Sequence, residues 1–183
     1  MNASEIVQRW RVRGGYVLAV VVLLLARPTL SSILLGAVIG SVGLFIRAYA
    51  AGFLHKQEVL TVTGPYAYTR NPLYFGSSIL ALGTAVAMHS LWAAMLLLAY
   101  FALVYLVVMR REETELREKH GASFDAYAES VPLFFPQLTP SREFGSQASF
   151  SLAQYEKNRE YRASVGFCLF LLLLAIIWRL RMD

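Results

Sequence analysis

The chain has 183 residues, 57% hydrophobic and 16% charged, with a mean hydropathy of +0.50 and a formal net charge of +5. Soluble domains carry about a quarter charged residues, so this composition excludes an ordinary water-soluble fold and calls for a bilayer around one domain, residues 1–183. The single Cys168 excludes a disulfide framework, and the scattered His55, His89 and His120 show no metal spacing, so neither a metal nor, with basic residues flanking apolar runs, nucleic acid is an expected partner.

A membrane-crossing helix needs about 20 mostly apolar residues, and five segments are predicted to be one. The first is Gly14 to Ala26, preceded by Arg9, Arg11 and Arg13 and stopped by Pro28. Its shortness and basic flank also fit a signal peptide, although no convincing cleavage site follows. The second, Leu30 to about Phe53, carries Gly36, Gly40 and Gly43, small residues that let a neighbouring helix come close.

Then comes a polar, aromatic, turn-rich stretch, Gly64-Pro65-Tyr66-Ala67-Tyr68-Thr69-Arg70-Asn71-Pro72-Leu73-Tyr74-Phe75-Gly76. Gly64-Pro65 signals a turn. Asn71-Pro72 reads as a helix start, Asn as N-cap and Pro at the first helical position. Free N–H groups at such a start attract a carboxylate or phosphate, and Arg70 adds a bidentate fork. Gly76 leaves room for a ligand or a close helix, and Tyr66, Tyr68 and Tyr74 can stack on a flat ring or hydrogen-bond. The same residues also fit an interfacial aromatic belt with a snorkelling arginine.

The third helix runs from Pro72 to about His89, and the fourth from Leu91 to Met109; the break at His89-Ser90 makes them an antiparallel hairpin. No breaker appears until Gly121, so the fourth helix is predicted to continue to Lys119 and project from the membrane. Spacing at 100° puts Ala102, Tyr105, Met109 and Leu116 on one stripe, flanked by Glu112 and Glu113. Acids beside an inward stripe, where helix leaves lipid, suit a site; the i,i+4 pairs Glu113–Arg117 and Glu115–Lys119 equally suit plain helix stabilisation.

Gly121, Phe124, Tyr127 and the run Val131 to Pro136 predict a short helix and a stiff connector against the mouth of the bundle, with Leu133-Phe134-Phe135 also able to dip into the interface. Residues 145–149 read as a linker, Ser151 with Gln154 as a capping box opening the last helix, and Ala163 to Trp178 as the fifth span. Tyr155, Asn158, Arg159, Glu160 and Tyr161 lie just before that span and either close over the site, bind a headgroup or form a simple amphipathic lead-in. With a cytoplasmic N-terminus, fourteen Lys and Arg fall on the cytoplasmic side against Arg27, Arg179 and Arg181 outside. The Arg70 stretch and Glu112-Glu113 then share the cytoplasmic side.

The pattern Gly-Pro-Tyr-x-x-x-Arg-Asn-Pro-x-Tyr-x-Gly, the hairpin, Glu-Glu-x-x-Leu, then Gly121-x-x-Phe-x-x-Tyr127 and a Pro-rich end resembles the isoprenylcysteine carboxyl methyltransferase and phospholipid methyltransferase superfamily. The resemblance covers Gly64 to Pro136 and leaves 141–183 as a C-terminal extension. It implies an all-α, polytopic membrane helix bundle of about five transmembrane helices with a cytoplasm-facing site for S-adenosylmethionine, released as S-adenosylhomocysteine. Tyr66, Arg70, Asn71, Pro72, Tyr74, Gly76, Glu112, Glu113 and Leu116 would bind the cofactor, with Arg70, Glu112 and Glu113 at the reacting centre. The partners implied are membrane lipids and a lipophilic acceptor, first an isoprenylcysteine-like carboxylate. The alternatives are a phospholipid amine, a non-catalytic membrane binding or scaffold protein of the same fold, and a membrane reductase of related architecture. The family pattern has His where this chain has Asn71, which matters only if that histidine titrates.

Overall fold

The computed structural model describes residues 3–55, 59–141 and 149–182, with side chains from Gly14 onward. The elements are α1 (Ala3–Leu25), α2 (Leu30–Ala51), a 3-10 turn (Gly64–Ala67), α3 (Pro72–Met88), α4 (Leu91–His120), α5 (Ala122–Ser130), α6 (Leu152–Lys157) and α7 (Tyr161–Leu180). Among the described residues there is no strand, and the architecture is a membrane helix bundle. By length and composition α2, α4 and α7 can cross a membrane; α3 and the Gly14–Leu25 part of α1 are apolar but shorter. Their outward faces carry exposed Leu34, Val38, Phe45, Leu103, Val107, Leu169 and Leu172, a surface that only lipid solvates without cost.

The breaks have local causes. Thr29 and Ser32 cap α2 reciprocally, each side-chain oxygen accepting from the other's backbone N–H at 3.1 and 2.9 Å. His89 takes a left-handed φ of 48° to end α3, and Ser90 caps α4 through the Ala93 N–H. α4 is 30 residues long, about 45 Å, so its last turns stand clear of a hydrocarbon core of about 30 Å.

Helices α2 and α3 approach backbone to backbone. A Cβ on Gly36 would meet the Gly83 carbonyl oxygen at 2.5 Å, one on Gly43 the Gly76 carbonyl oxygen at 2.6 Å, and one on Gly83 the Gly40 nitrogen at 2.5 Å. The aromatic ring of Phe167, on α7, fills the face of Gly40. At the end of the bundle bearing the His89 turn, Val22, Ala26, Ile33, Ala87, Met88, Ala93 and Leu174 form a buried cluster. There the Arg27 N–H donates to the Met88 carbonyl at 2.8 Å and Arg181 to the Ala26 carbonyl at 2.6 Å. α1 is therefore built into the bundle.

Three expectations need correction. Ser151 does cap a helix, accepting from the Gln154 N–H, but that helix is the short α6 and not the final span. The chain turns again at Arg159, with φ of 54°, before α7 begins. The reciprocal half of the capping box is not made either, because the Gln154 side chain donates to the Leu54 carbonyl. The stripe on α4 is rotated: Met109 is buried and Tyr105 half-buried, whereas Ala102 and Leu116 are exposed. Of the linker expected at 145–149, residues 145–148 lie outside the described residues.

Candidate functional site

The α3–α4 hairpin brings the start of α3 beside the last turns of α4. Arg70 Nη1 donates to Glu113 Oε1 at 2.7 Å, with both side chains 13% exposed. The Tyr74 hydroxyl donates to Glu112 Oε1 at 2.5 Å, and its ring meets Tyr105 edge-on at 5.0 Å. Arg110 and Arg117 approach Glu113 at 3.7 and 3.9 Å, so the carboxylate carries several cations around it. The two acids predicted from sequence therefore reach Arg70, just before α3, and Tyr74, in its first turn.

The irregular backbone from Tyr66 to Asn71 is satisfied by the connector after α5, as buried polar backbone requires. The Arg70 N–H donates to the Pro132 carbonyl at 2.9 Å, the Thr69 hydroxyl to Phe134 at 2.9 Å, and Gln137 Nε2 to Ala67 at 3.0 Å. The Tyr127 hydroxyl donates to the Tyr66 carbonyl at 2.7 Å. Phe124, on α5, is buried with the Arg70 and Arg117 guanidiniums 6.0 and 5.4 Å from its ring centre. The connector thus packs against the mouth of the bundle as expected.

Asn71 stands at the N-cap position without a side-chain cap bond, contrary to the sequence reading. Its Nδ2 instead donates to the Leu133 carbonyl at 2.9 Å, tying the start of α3 to the connector. A histidine in that place could donate in the same way. Gly76 serves the close helix and not an open space: a Cβ there would meet Arg47 Cγ and the Gly43 carbonyl oxygen, both at 2.8 Å. Pro72 is buried at the first turn of α3, and Leu116, one turn beyond Glu112 and Glu113 on α4, is 37% exposed. Glu115 is engaged by Arg111 one turn earlier at 2.7 Å, so it plays the surface role.

Two buried polar atoms are left without a partner among the described residues, Arg70 Nε and the Tyr66 hydroxyl. Tyr66 is 6% exposed, and burial, followed by the fields of Tyr127, Glu112 and Glu160, pushes its phenol well above the ordinary range. An unsatisfied buried group costs about 1–3 kcal/mol.

A second cluster lies one helix away. Arg47 of α2 donates to Glu160 Oε1 from Nε at 2.6 Å and Nη2 at 2.5 Å, and its Nη1 bonds Ser77 Oγ on α3 and, at 3.4 Å, the Leu73 carbonyl. Sequence reasoning assigned Arg47 only a topological role. A charge within an apolar helix is the signal that marks such a residue as more than a flank. Among the described residues no group of three or more His, Cys, Asp or Glu side chains could hold a metal ion.

A family model described as phospholipid methyltransferase matches residues 15–123. The chain is 33% identical over 135 residues to the nickel-cobalt-cadmium resistance protein NccN of Alcaligenes xylosoxydans xylosoxydans, covering 73% of this chain and 61% of that one. It is 35% identical over 107 residues to the cobalt-zinc-cadmium resistance protein CzcN of Cupriavidus metallidurans, covering 58% of this chain and 48% of that one. It thus spans about half to three-fifths of the curated relatives it matches. No solved structure matches.

Proposed function

We propose that this chain, which belongs to the phospholipid methyltransferase family, is an S-adenosylmethionine-dependent membrane methyltransferase acting on a lipophilic acceptor from the cytoplasmic face. The observation that carries this reading is the Arg70–Glu113 pair across the hairpin, with Arg70 Nε buried and without a partner among the described residues. The residues fit such a cofactor. Arg70 and the start of α3 suit its carboxylate, Glu112 and Glu113 its cationic groups, and Tyr66 and Tyr74 its ring. When bound, S-adenosylmethionine supplies an electrophilic methyl group carried on a sulfonium.

What remains for the protein is alignment and exclusion of water. The connector bonds to Thr69, Arg70 and Asn71 hold the mouth closed on one side. The Tyr74–Glu112 bond fixes a polar rim at the emerging end of α4. A carboxylate acceptor needs no deprotonation at neutral pH, which favours an isoprenylcysteine-like substrate because Glu112 and Glu113 are both already engaged. The family match favours a phospholipid amine instead, whose proton Glu112, exposed at the rim, can pass to water. Radiolabelled methyl transfer into a lipid extract separates the two, since only an ester is released by base. The relatives' names concern metal resistance; for this chain we read that as the setting in which the modified lipid matters.

The reading is tested by titration calorimetry with S-adenosylhomocysteine. Wild type binds, while Arg70→Lys, which keeps the charge and loses the fork, and Glu113→Gln each weaken binding by about tenfold or more, or ~1.4 kcal/mol. Melting temperatures taken alongside separate lost contacts from lost fold. No detectable heat with folded wild type would sink the proposal.

A further inference from the structure

From Val131 to Ser141 the chain carries no charged residue, yet Leu138 is fully exposed and Phe135 is 75% exposed. An outward apolar run of this kind marks a surface that meets an apolar partner. Its backbone is firmly held. The Pro132, Leu133 and Phe134 carbonyls accept from the Arg70 N–H, Asn71 Nδ2 and the Thr69 hydroxyl, each at 2.9 Å. The Gln137 and Ser141 N–H groups donate to the Tyr68 and Ala67 carbonyls, each at 3.0 Å. Pro136 and Pro140 bring no N–H at all. Irregular backbone is tolerated at membrane depth only where protein groups take up its polar atoms in this way.

The connector also lies on the outward side of the bundle, at the height where helices leave lipid. Phe134 meets Phe75 edge-on, with ring centres 5.9 Å apart. Phe75 stands about two turns before the exposed Leu82, on the same face of α3. That face is the outer one, because Gly76 and Ser77 turn inward to Gly43 and Arg47 of α2. At this height Arg47 reaches the Leu73 carbonyl, and the exposed rings of Phe45 and Tyr49 flank it along α2. Exposed aromatics at the end of one helix and the start of the next mark the membrane–water boundary.

We propose that Phe135 and Leu138 form a wedge seated in the lipid interface at the site end of the bundle, between headgroups and acyl chains. The occupant is lipid, because the wedge continues the apolar outward face of α3 and has no charge with which to select a polar partner. Through its bonds to Thr69, Arg70 and Asn71 the same connector forms a wall of the candidate site. The bilayer therefore supports that wall directly. The inference goes beyond methyl transfer and does not depend on it.

The test uses the full chain with Cys168→Ala and one added cysteine, Phe135→Cys or Leu138→Cys, labelled with a nitroxide. The protein is reconstituted into vesicles of phosphatidylcholine and phosphatidylglycerol. Power-saturation EPR then compares collisions with oxygen, which concentrates in the bilayer, and with a nickel chelate, which stays in water. Leu103→Cys, on the outward face of α4, and Glu118→Cys, near its projecting end, give the lipid and water limits. Both wedge labels should show an oxygen-to-nickel ratio several-fold above that of Glu118→Cys and below that of Leu103→Cys. Both side chains are exposed, so neither replacement disturbs a packed core. A ratio equal to that of Glu118→Cys would put the connector in water and overturn the proposal. Exclusion of both reagents would mean that another protein or a second copy of this chain covers the wedge, which overturns it as well.

Discussion

Tyr127 is 2% exposed, its hydroxyl fixes the Tyr66 carbonyl at 2.7 Å, and burial pushes its phenol above the ordinary value near 10. A folded-state pKa above the unfolded one means the folded protein holds the proton longer. The stability this confers is fully present below about pH 10 and is lost as pH rises beyond it, by up to ~1.4 kcal/mol per pH unit for each such group. Thermal melts should therefore be flat from pH 7 to 9 and fall above about pH 10. Tyr127→Phe should start about 1 kcal/mol lower at neutral pH, from the lost hydrogen bond, and then fall less steeply. Parallel alkaline curves for the two proteins would remove Tyr127 from the account. Asn71 belongs to this scale too. Its place before Pro72 was legible, but its partner, the Leu133 carbonyl, depends on where a connector 62 residues later returns.

For the helices, the strongest constraint is the glycine contact between α2 and α3. A Cβ on Gly83 would press on the Gly40 nitrogen at 2.5 Å and the Gly36 carbonyl oxygen at 2.7 Å, backbone atoms that cannot swing away. Gly166 on α7 has nothing within 4 Å of its Cβ position. Gly83→Ala should thus lower the melting temperature, at a cost of about 1–3 kcal/mol, while Gly166→Ala is neutral or slightly stabilising through helix propensity. Equal melting temperatures would mean that this contact does not hold α3. Helix boundaries of this kind were largely readable, because Pro72, Ser90 and Gly121 carry their signals locally. The turn at Arg159 was not, since arginine gives no sign of a left-handed backbone. The rotation of α4 was not either, because its apolar residues surround the whole helix and lipid accepts every face. The acidic pair was legible as chemistry, but the Arg47–Glu160 contact joins residues 113 apart and is visible only once α7 is packed.

At the scale of the molecule, the long apolar helices run between two ends of the bundle, the site end and the end bearing the His89 turn. Arg27 bonds Met88, and Arg181 bonds Ala26, which gathers the helix ends Leu25, Met88 and Leu180 at one level. The Arg70–Glu113 and Arg47–Glu160 pairs occupy the other. We propose that the site end faces the cytoplasm, because the alternation of spans read from the sequence assigns fourteen of the 17 Lys and Arg to that side and positive loops are retained inside. In a Cys168→Ala background, Ser90→Cys should then react with a membrane-impermeant maleimide on intact cells. Glu118→Cys, on the exposed end of α4, should react only after permeabilisation. The reverse pattern would put the site outside, where S-adenosylmethionine is not supplied, and would count against methyl transfer more directly than any single substitution.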